Sequence, residues 1–271
     1  KNYYDLRTIC VGNIYIGGTG KTPLVNNLTS YFKKKYKTFI IKKNYTSHQD
    51  EKKLLELKHK VIFEKTRELS LLKAEQEKAQ LVIFDDGLQE KTINYDLKIV
   101  CFNSLKLEGN GFIIPAGPLR ERLNSIKNYD VALINGDLNK ESKNFINKIK
   151  KINSNIKIFT GKYVPKNYSK LKKKKFIIFS GIGNPHTFSD TLKNLKIKFN
   201  GYEKFPDHYD YKESDLQKLK HFAKIKNCEL LTTEKDYFRL KKSFRKNINF
   251  LKVELLVEQK KEFYKYLDEK L

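Results

Sequence analysis

A glycine-dense turn near the start of the chain carries a lysine and a threonine side by side. Residues 11–22 read VGNIYIGGTGKT. Glycines let successive backbone N–H groups point at one anion, and a helix that begins there adds its positive end. In such a turn the Lys21 ammonium reaches the outer phosphates of a nucleotide, and the Thr22 hydroxyl binds magnesium. The residues expected to hold the nucleotide are Gly17, Gly18, Thr19, Gly20, Lys21 and Thr22.

One position departs from the strict phosphate-loop pattern G-x-x-x-x-G-K-[ST], which requires Gly where this chain has Tyr15. The GGTGKT sequence and its strand, turn and helix context remain. An ordinary Gly-rich turn is the alternative interpretation. The adjacent Lys21 and Thr22 at a predicted helix start favour the phosphate loop.

Two acidic pairs follow predicted strands. The apolar segment 81–84 runs directly into Asp85 and Asp86, which places carboxylates where an α/β sheet binds ligands, beside the magnesium of a phosphate loop. Asp86 followed by Gly also suits an ordinary turn, and the phosphate loop favours the functional role. Asp50 and Glu51 follow a polar stretch that contains Tyr45. Helix capping is a sufficient reason for an acidic pair at the start of a helix, so these two residues alone do not indicate a function.

Short apolar segments alternate with amphipathic stretches, which predicts an α/β fold with a parallel sheet flanked by helices. In the first part of the chain, strands are predicted at residues 8–13, 38–41, 61–63, 81–84, 97–102 and 131–134. Helices are predicted at residues 21–35, before Val61 and Leu81, and after Asn139.

A lysine-rich stretch at residues 163–175 interrupts this alternation and predicts a domain boundary. We therefore expect one domain at residues 1–163 and a second, smaller α/β domain at residues 164–271. In the second domain, strands are predicted at residues 176–179, 197–199, 229–232 and 248–253, and helices at 187–195, 214–226 and 258–271.

The formal net charge of the 271 residues is +25. A basic surface suits nucleic acid or an anionic membrane. Lysine is nevertheless spread over nearly the whole chain together with many Asn and Ile, so a compositional bias explains the charge better. No nucleic-acid-binding signature is present.

The cysteines and the absence of targeting segments indicate the cellular compartment. Cys10, Cys101 and Cys228 are far apart and form no CxxC pair, which indicates thiols in a reducing compartment. No signal peptide is visible, and no apolar run approaches the roughly 18 residues that a membrane-spanning helix needs. Because the sequence contains no Met, we expect that the start of the natural protein is missing from it.

Five separated regions resemble the tetraacyldisaccharide 4'-kinase family of lipid A synthesis. They are VGNIYIGGTGKTP (11–23), DDGLQ (85–89), GNGFIIPAGPLRE (109–121), FSGIGNPHTF (179–188), and FPDHY (205–209) with LLTTEKDYFRL (230–240). The family tolerates a residue other than Gly at the position of Tyr15. The resemblance spans nearly the whole chain and implies a P-loop fold.

The resemblance implies a kinase that uses ATP and Mg²⁺ to phosphorylate the 4'-hydroxyl of tetraacyldisaccharide 1-phosphate, which gives lipid IVA. Residues 1–163 would form the kinase domain, and residues 164–271 would complete the active-site cleft. The expected partners are the lipid A disaccharide 1-phosphate and an anionic membrane surface, on the cytoplasmic face of the bacterial inner membrane. Neither nucleic acid nor an obligate protein partner is expected.

The family's residue roles transfer to matching positions. Asp50 aligns with the catalytic base and is paired with His208, and Lys21 and Arg120 complete the expected catalytic set. Magnesium is expected at Thr22, Glu51, Asp85 and Asp86, and substrate at Tyr45, Arg120 and Glu121.

Some positions depart from the family or leave alternatives open. Lys42-Lys43-Asn44-Tyr45 replaces an RGY-type sequence, Gln49 replaces a Gly, and Glu90 replaces a His. Residues 109–118 fit either an apolar surface for the lipid or a buried strand.

Two other functions are alternatives to the kinase. A GTPase normally carries [NT]-K-x-D, but the sequence at 139–142 lacks the Asp and the sequence at 233–236 has the wrong order. The other rival is a basic, nucleotide-dependent P-loop protein that binds nucleic acid or an anionic membrane.

Overall fold

A computed structural model describes residues 6–43, 55–56, 58–183 and 185–271. Its strands are β1 (Arg7–Gly12), β2 (Thr38–Lys42), β3 (Val61–Ile62), β4 (Leu81–Asp85), β5 (Leu97–Asn103), β6 (Val131–Asn135), β7 (Lys157–Pro165), β8 (Lys175–Ser180), β9 (Lys198–Lys204), β10 (Glu229–Thr233), β11 (Ile248–Leu251) and β12 (Val253–Val257). Its helices are α1 (Lys21–Phe32), α2 (Arg67–Gln76), α3 (Lys140–Ile152), α4 (Tyr168–Leu171), α5 (Pro185–Asn194), α6 (Glu213–Ile225), α7 (Glu234–Arg239) and α8 (Lys260–Lys270).

The chain divides into two compact units. The first contains the described residues up to Lys43 together with Lys58–Tyr163 and Leu255–Leu271, and Val164–Glu254 belong to the second. The chain leaves the first unit at Tyr163, where the lysine-rich stretch begins. The second domain was expected to continue to residue 271, whereas Leu255–Leu271 belong to the first unit.

The first unit is built on an eight-stranded sheet with the order β12-β7-β6-β5-β1-β4-β2-β3. β1 lies between β4 and β5 and is parallel to both, and β2 runs parallel to β4. Strands β2, β4 and β6 are buried along their whole length, as expected for parallel strands that are covered on both faces. The carboxyl ends of β1, β2 and β4 therefore meet at one edge of the sheet.

The helices of the first unit are positioned by apolar contacts and caps. In α1, Leu24, Leu28 and Phe32 are fully buried. Helix α3 begins at a capping box in which Asn139 and Ser142 satisfy each other's backbone N–H groups, and its Phe145 packs edge-on against Phe102 of β5. Each buried side chain of this size contributes about 1.5–3 kcal/mol to stability, so these contacts hold the helices on the sheet.

The last segment belongs to the first unit because its aromatic residues pack there. Phe263 of α8 lies edge-on to Phe159 of β7, with ring centroids 5.0 Å apart. Tyr264 stacks on Tyr31 of α1 at 3.9 Å. Asp268 accepts a hydrogen bond of 2.6 Å from the Tyr31 hydroxyl. Both aromatic packing and a side-chain hydrogen bond therefore hold α8 on the first unit.

The second unit has a four-stranded parallel sheet with the order β11-β10-β8-β9. One face is covered by side chains that include Leu216 and Leu219 of α6, and the other by Phe188 and Leu192 of α5. The single strand predicted at 248–253 is two strands, β11 and β12, which belong to different sheets. None of the helices in the described part of the chain combines the length and apolar composition that crossing a membrane requires.

Candidate active site

The glycine turn joins β1 to α1, and two of its glycines have left-handed backbones. Gly17 has φ 107° and Gly20 has φ 93°, and residues other than Gly rarely adopt such values. A Cβ atom at Gly20 would also overlap the side-chain amide of Asn135, whereas the positions next to Gly17 and Gly18 open onto free space. The backbone is therefore shaped for a bulky ligand to approach it at residues 17 and 18, as a phosphate requires.

Two asparagines at strand ends hold the turn. Asn13 Nδ2 donates to the Gly17 carbonyl at 3.2 Å and to Thr19 Oγ1 at 3.0 Å. Asn135, the last residue of β6, donates from Nδ2 to the Thr19 carbonyl. The Oδ1 atoms of both asparagines are buried and have no hydrogen-bond partner among the described residues.

Tyr15 fits the turn because residues 14–16 pair with residues 118–120. Arg120 N donates to the Ile14 carbonyl at 2.7 Å, and Ile16 N donates to the Pro118 carbonyl at 2.9 Å. Tyr15 itself forms an antiparallel bridge with Leu119. The position that departs from the strict pattern does not have a left-handed backbone, so a side chain is allowed there, and the pairing ties the PAGPLRE segment to the turn.

Asp85 and Thr22 form the part of the site that fits magnesium. Asp85 ends β4, is buried, and accepts from Thr22 Oγ1 at 3.1 Å through its Oδ2 atom. Its Oδ1 atom is buried without a hydrogen-bond partner in the described part of the chain. Magnesium prefers oxygen ligands and takes only one or two protein carboxylates, with phosphate and water for the rest. The described residues contain no cluster of three or more His, Cys, Asp or Glu side chains that suits a metal.

Asp86 is surrounded by cations. Its Oδ1 accepts from Arg120 Nη1 at 2.8 Å, and its Oδ2 lies 3.8 Å from Lys21 Nζ. Its carbonyl accepts from Arg67 Nη2. Burial lowers the pKa of Lys21, and the nearby Arg120 acts in the same direction while Asp86 opposes it. A polyphosphate that enters this region would meet Lys21 and Arg120 together.

Gln89 of the DDGLQ segment connects the turn to Arg120. Its Nε2 donates to the Asn13 carbonyl at 3.0 Å, and its Oε1 accepts from Arg120 Nη1 at 3.3 Å. Five residues without a role predicted from the sequence also lie here: Asn13, Lys42, Arg67, Gln89 and Asn135. Three of these follow or end buried strands, and a polar residue at the carboxyl end of a parallel strand is the signal that could have found them.

The segment 109–121 presents apolar side chains to solvent. Phe112 is 63% exposed and Ile114 is 52% exposed. The alternative in which this segment is a buried strand is therefore excluded. The carboxylate of Glu121 accepts a hydrogen bond of 2.7 Å from the buried Tyr129 hydroxyl, so Glu121 is held by Tyr129 while Arg120 turns towards Asp86.

His208 lies in the second unit, in the FPDHY segment. Its backbone is left-handed, with φ 58°, and its N–H donates to the Gly181 carbonyl at 3.2 Å. The ring atom Nε2 lies 3.9 Å from Asp207 Oδ1. The predicted site residues Tyr45, Asp50 and Glu51 lie outside the described residues.

Comparison with known proteins agrees with these observations. The family model for LpxK, tetraacyldisaccharide-1-P 4'-kinase, matches residues 2–60 and 50–271. The chain is 44% identical over 260 residues to the tetraacyldisaccharide 4'-kinase of Pelagibacter ubique, covering 94% of this chain and 82% of that protein. It is 35% identical over 269 residues to the tetraacyldisaccharide 4'-kinase of Rickettsia felis, covering 93% of this chain and 81% of that protein.

A solved structure shares the fold. The structure of LpxK from Aquifex aeolicus in complex with ATP superposes with a TM-score of 0.74, covering 98% of this chain and 88% of that chain at 24% sequence identity. The predicted α/β fold with a P-loop sheet is thereby confirmed. The glycine turn, the DDGLQ carboxylates and the PAGPLRE segment all lie in one unit. Because the family model and these relatives also match nearly the whole chain, the chain belongs to the tetraacyldisaccharide-1-P 4'-kinase family.

Proposed function

We propose that this protein is a lipid kinase that transfers the γ-phosphoryl group of ATP to the 4'-hydroxyl of tetraacyldisaccharide 1-phosphate, which gives lipid IVA in lipid A biosynthesis. The observation that carries this proposal is the 44% identity to a tetraacyldisaccharide 4'-kinase across 94% of the chain. The geometry of the first unit supports it, because a phosphate-binding turn, a buried carboxylate and two cations converge there.

The nucleotide would be held by the glycine turn and by Lys21. The open backbone at Gly17 and Gly18 lets phosphate oxygens approach, and the beginning of α1 adds the positive end of a helix. Lys21 and Arg120 lie on either side of Asp86. They supply positive charge where the transferred phosphoryl group develops negative charge, which is the main contribution of proteins to phosphoryl transfer.

Magnesium would be held by Thr22 and Asp85, with Asp86 and Glu51 as further expected ligands. The Thr22 hydroxyl and the unpartnered Oδ1 of Asp85 are the donor set that supports this role. A bound magnesium ion neutralises charge on the phosphates and orients them. The buried end of β4 holds Asp85 in place before any ligand arrives.

In the transfer step, the 4'-oxygen of the sugar forms a bond to the γ-phosphorus while the bond to the bridging oxygen of ADP breaks. The hydroxyl proton passes to a base, for which we propose Asp50, oriented by His208. A sugar hydroxyl is a weak nucleophile, so a carboxylate that accepts its proton assists as charge develops. Tyr45, Arg120 and Glu121 are the proposed contacts to the lipid disaccharide.

The exposed segment 109–118 is proposed to contact the acyl chains at an anionic membrane surface, on the cytoplasmic face of the bacterial inner membrane. Phe112 and Ile114 supply apolar area, and the formal charge of +25 supplies attraction to acidic lipid. Side chains of this kind bind an interface by burying part of their area below the headgroups. The protein would thus be attached peripherally.

The test is to incubate the purified protein with radiolabelled ATP, magnesium and the tetraacyldisaccharide 1-phosphate in detergent. Wild type should give labelled lipid, and Lys21→Ala should lose about 100-fold or more of the rate, because it removes a charge at the transferred group. Lys174→Ala removes an exposed lysine that pairs with Glu229 in the second unit, and it should behave like wild type. A folded wild type that forms no labelled lipid contradicts the proposal.

A further inference from the structure

Asp236 is a buried carboxylate in the second unit for which the proposed reaction has no role so far. It lies in the first turn of α7 and is 0% exposed. Thr233, the residue before α7, accepts from Asp236 N at 3.1 Å and donates to Asp236 Oδ2 at 2.6 Å. These bonds cap the helix and use only one of the two carboxylate oxygens.

The other oxygen, Oδ1, accepts from groups outside this cap. Gly181 N donates to it at 3.1 Å, the Tyr211 hydroxyl at 2.9 Å, and Arg239 Nη1 at 3.0 Å. Burial raises the pKa of Asp236, and Thr233 and Arg239 oppose this rise. Burying a carboxylate is costly unless it is paired and hydrogen-bonded, so Asp236 and its donors form a unit that fixes what it touches.

What Asp236 touches is the backbone of Gly181, which is hydrogen-bonded on both sides of its Cα atom. Its N–H is bound by Asp236, and its carbonyl accepts from Arg239 Nη1 at 2.9 Å and from His208 N at 3.2 Å. A Cβ atom at Gly181 would lie 2.9 Å from the Pro206 carbonyl and 3.1 Å from the Tyr211 hydroxyl. The FPDHY segment therefore packs directly on a glycine backbone that Asp236 and Arg239 hold.

His208 needs such support because its backbone is left-handed at φ 58°. A residue other than Gly keeps this conformation only where surrounding contacts determine it. His208 N donates to the Gly181 carbonyl at 3.2 Å and to Asp207 Oδ1 at 3.0 Å, and both are contacts of this kind. Arg239 is therefore connected to His208 through the Gly181 carbonyl, and Asp236 is connected to it through the backbone of Gly181.

We infer that Asp236, together with Arg239 and Tyr211, is a positioning residue that fixes the backbone of His208 for phosphoryl transfer. The inference rests on the proposed function, in which His208 orients the base. In this proposal Asp236 does not itself contact the reacting atoms, and its effect reaches them through the backbone of Gly181. A purely structural role would instead stabilise the second unit without a specific link to His208.

A double-mutant cycle separates these two roles. The lipid kinase rate is measured at saturating ATP and lipid for wild type, Asp236→Asn, His208→Ala and the double variant, with the KM for ATP and the thermal unfolding of each. We expect Asp236→Asn to lower kcat about 10-fold to 100-fold, since small misplacements cost this much, with the KM for ATP unchanged. In the His208→Ala background the same substitution should lower kcat by less than about 2-fold, because coupled residues are not additive.

Two further variants keep the test decisive. Tyr211→Phe removes one hydrogen bond to Asp236 Oδ1 and keeps the ring, so it replaces Asp236→Asn if that variant does not fold, and it should show the same dependence on His208. Asp215→Asn is the matched control, because Asp215 also accepts from a tyrosine of FPDHY, at 3.0 Å from the Tyr209 hydroxyl. Asp215 does not bind the Gly181 peptide, so its substitution should leave kcat near that of wild type.

The outcomes distinguish the inference from the function on which it rests. Absence of labelled lipid with wild type overturns the proposed function. An unchanged kcat in His208→Ala overturns the role of His208 and the positioning role together. Equal losses from Asp236→Asn, or from Tyr211→Phe, with and without His208 overturn the inference alone and leave the kinase activity established.

Discussion

Lys42 and Asp85 form a buried ion pair at the carboxyl ends of two adjacent strands, with Lys42 Nζ 2.7 Å from Asp85 Oδ2. The parallel register of β2 and β4 places the two residues side by side. The Lys42 side chain is 8% exposed and the Asp85 side chain 0%. The carboxylate proposed to hold magnesium thus has an internal counter-ion contributed by the chain itself.

Replacing Lys42 by Met should destabilise the metal-free protein by about 3 kcal/mol, because it leaves a buried carboxylate without its counter-ion. Magnesium should then stabilise the variant more than it stabilises wild type, since the ion meets a carboxylate whose charge is less neutralised. Urea unfolding with EDTA and with magnesium measures both effects. Lys35→Met, which breaks an exposed pair with Asp268, should show neither, and equal magnesium responses in Lys42→Met and wild type would contradict the prediction.

Gly20→Ala should lower the free energy of unfolding by about 2 kcal/mol in the absence of nucleotide, because the new side chain needs a strained backbone at φ 93° and overlaps Asn135. Gly18→Ala is the matched comparison, since Gly18 has no positive φ and faces open space. It should change the free energy of unfolding by less than about 0.5 kcal/mol. Denaturant unfolding of the two variants measures the difference, and similar losses would argue against the described turn.

His59 should make the protein less stable as the pH falls from 6.5 towards 4. Burial, with Lys33 and Lys58 nearby, lowers the pKa of His59 to about 4, while the unfolded chain keeps a value of about 6.5. Between these values the unfolded chain binds the proton and the folded chain does not, so the free energy of unfolding is highest above pH 6.5 and falls below it. Partial exposure reduces the effect to about 1–2 kcal/mol.

The measurement for His59 is urea unfolding of wild type and His59→Gln at pH 7 and at pH 4.5. Gln is chosen because its amide can replace the hydrogen bond of 2.8 Å between His59 Nε2 and Asn26 Oδ1. Wild type should lose more stability than the variant across this interval. Parallel losses in the two proteins would assign the acid sensitivity to other groups.

Phe112→Ser combined with Ile114→Ser should weaken binding to vesicles that contain acidic phospholipid by about 10-fold or more, because two exposed apolar side chains no longer enter the interface. The KM for the lipid acceptor should rise while the KM for ATP stays the same. Ile225→Ser, which removes an equally exposed apolar residue from α6, serves as the control. Vesicle cosedimentation reports the binding, and undiminished binding of the double variant would exclude this segment as the contact.

Much of the fold could be predicted because its strands are short apolar runs between turn residues. The segment LVIF at 81–84 is an example, and it is β4 almost residue for residue. β7 was not predicted, because its second half is partly exposed and contains lysine and glycine and its last three residues lie in the lysine-rich stretch. β11 and β12 were merged because only Lys252 separates them, and no local signal shows that they belong to different sheets.

The proximity of two residues was predictable where motifs carry their own chemistry, while their role in binding magnesium stays a prediction. Thr22 and Asp85 were expected near one metal ion, and the structure places them 3.1 Å apart. The partnership of Lys42 with Asp85 could not be predicted, because it depends on β2 lying next to β4, which is a property of the sheet order. Asp236 was visible only as a residue of TTEKD, and its link to Gly181 depends on β10, which leads into α7, lying next to β8 in the sheet.

The return of β12 and α8 to the first unit has a consequence for biosynthesis. The ribosome releases Val164–Glu254 before the segment Leu255–Leu271 that completes the first unit. Newly made second units can therefore reach their native sheet early, while the larger sheet waits for its outermost strand and for the aromatic residues of α8. Chains shortened at the C-terminus should leave the ribosome with a folded insert inside an unfinished nucleotide-binding unit.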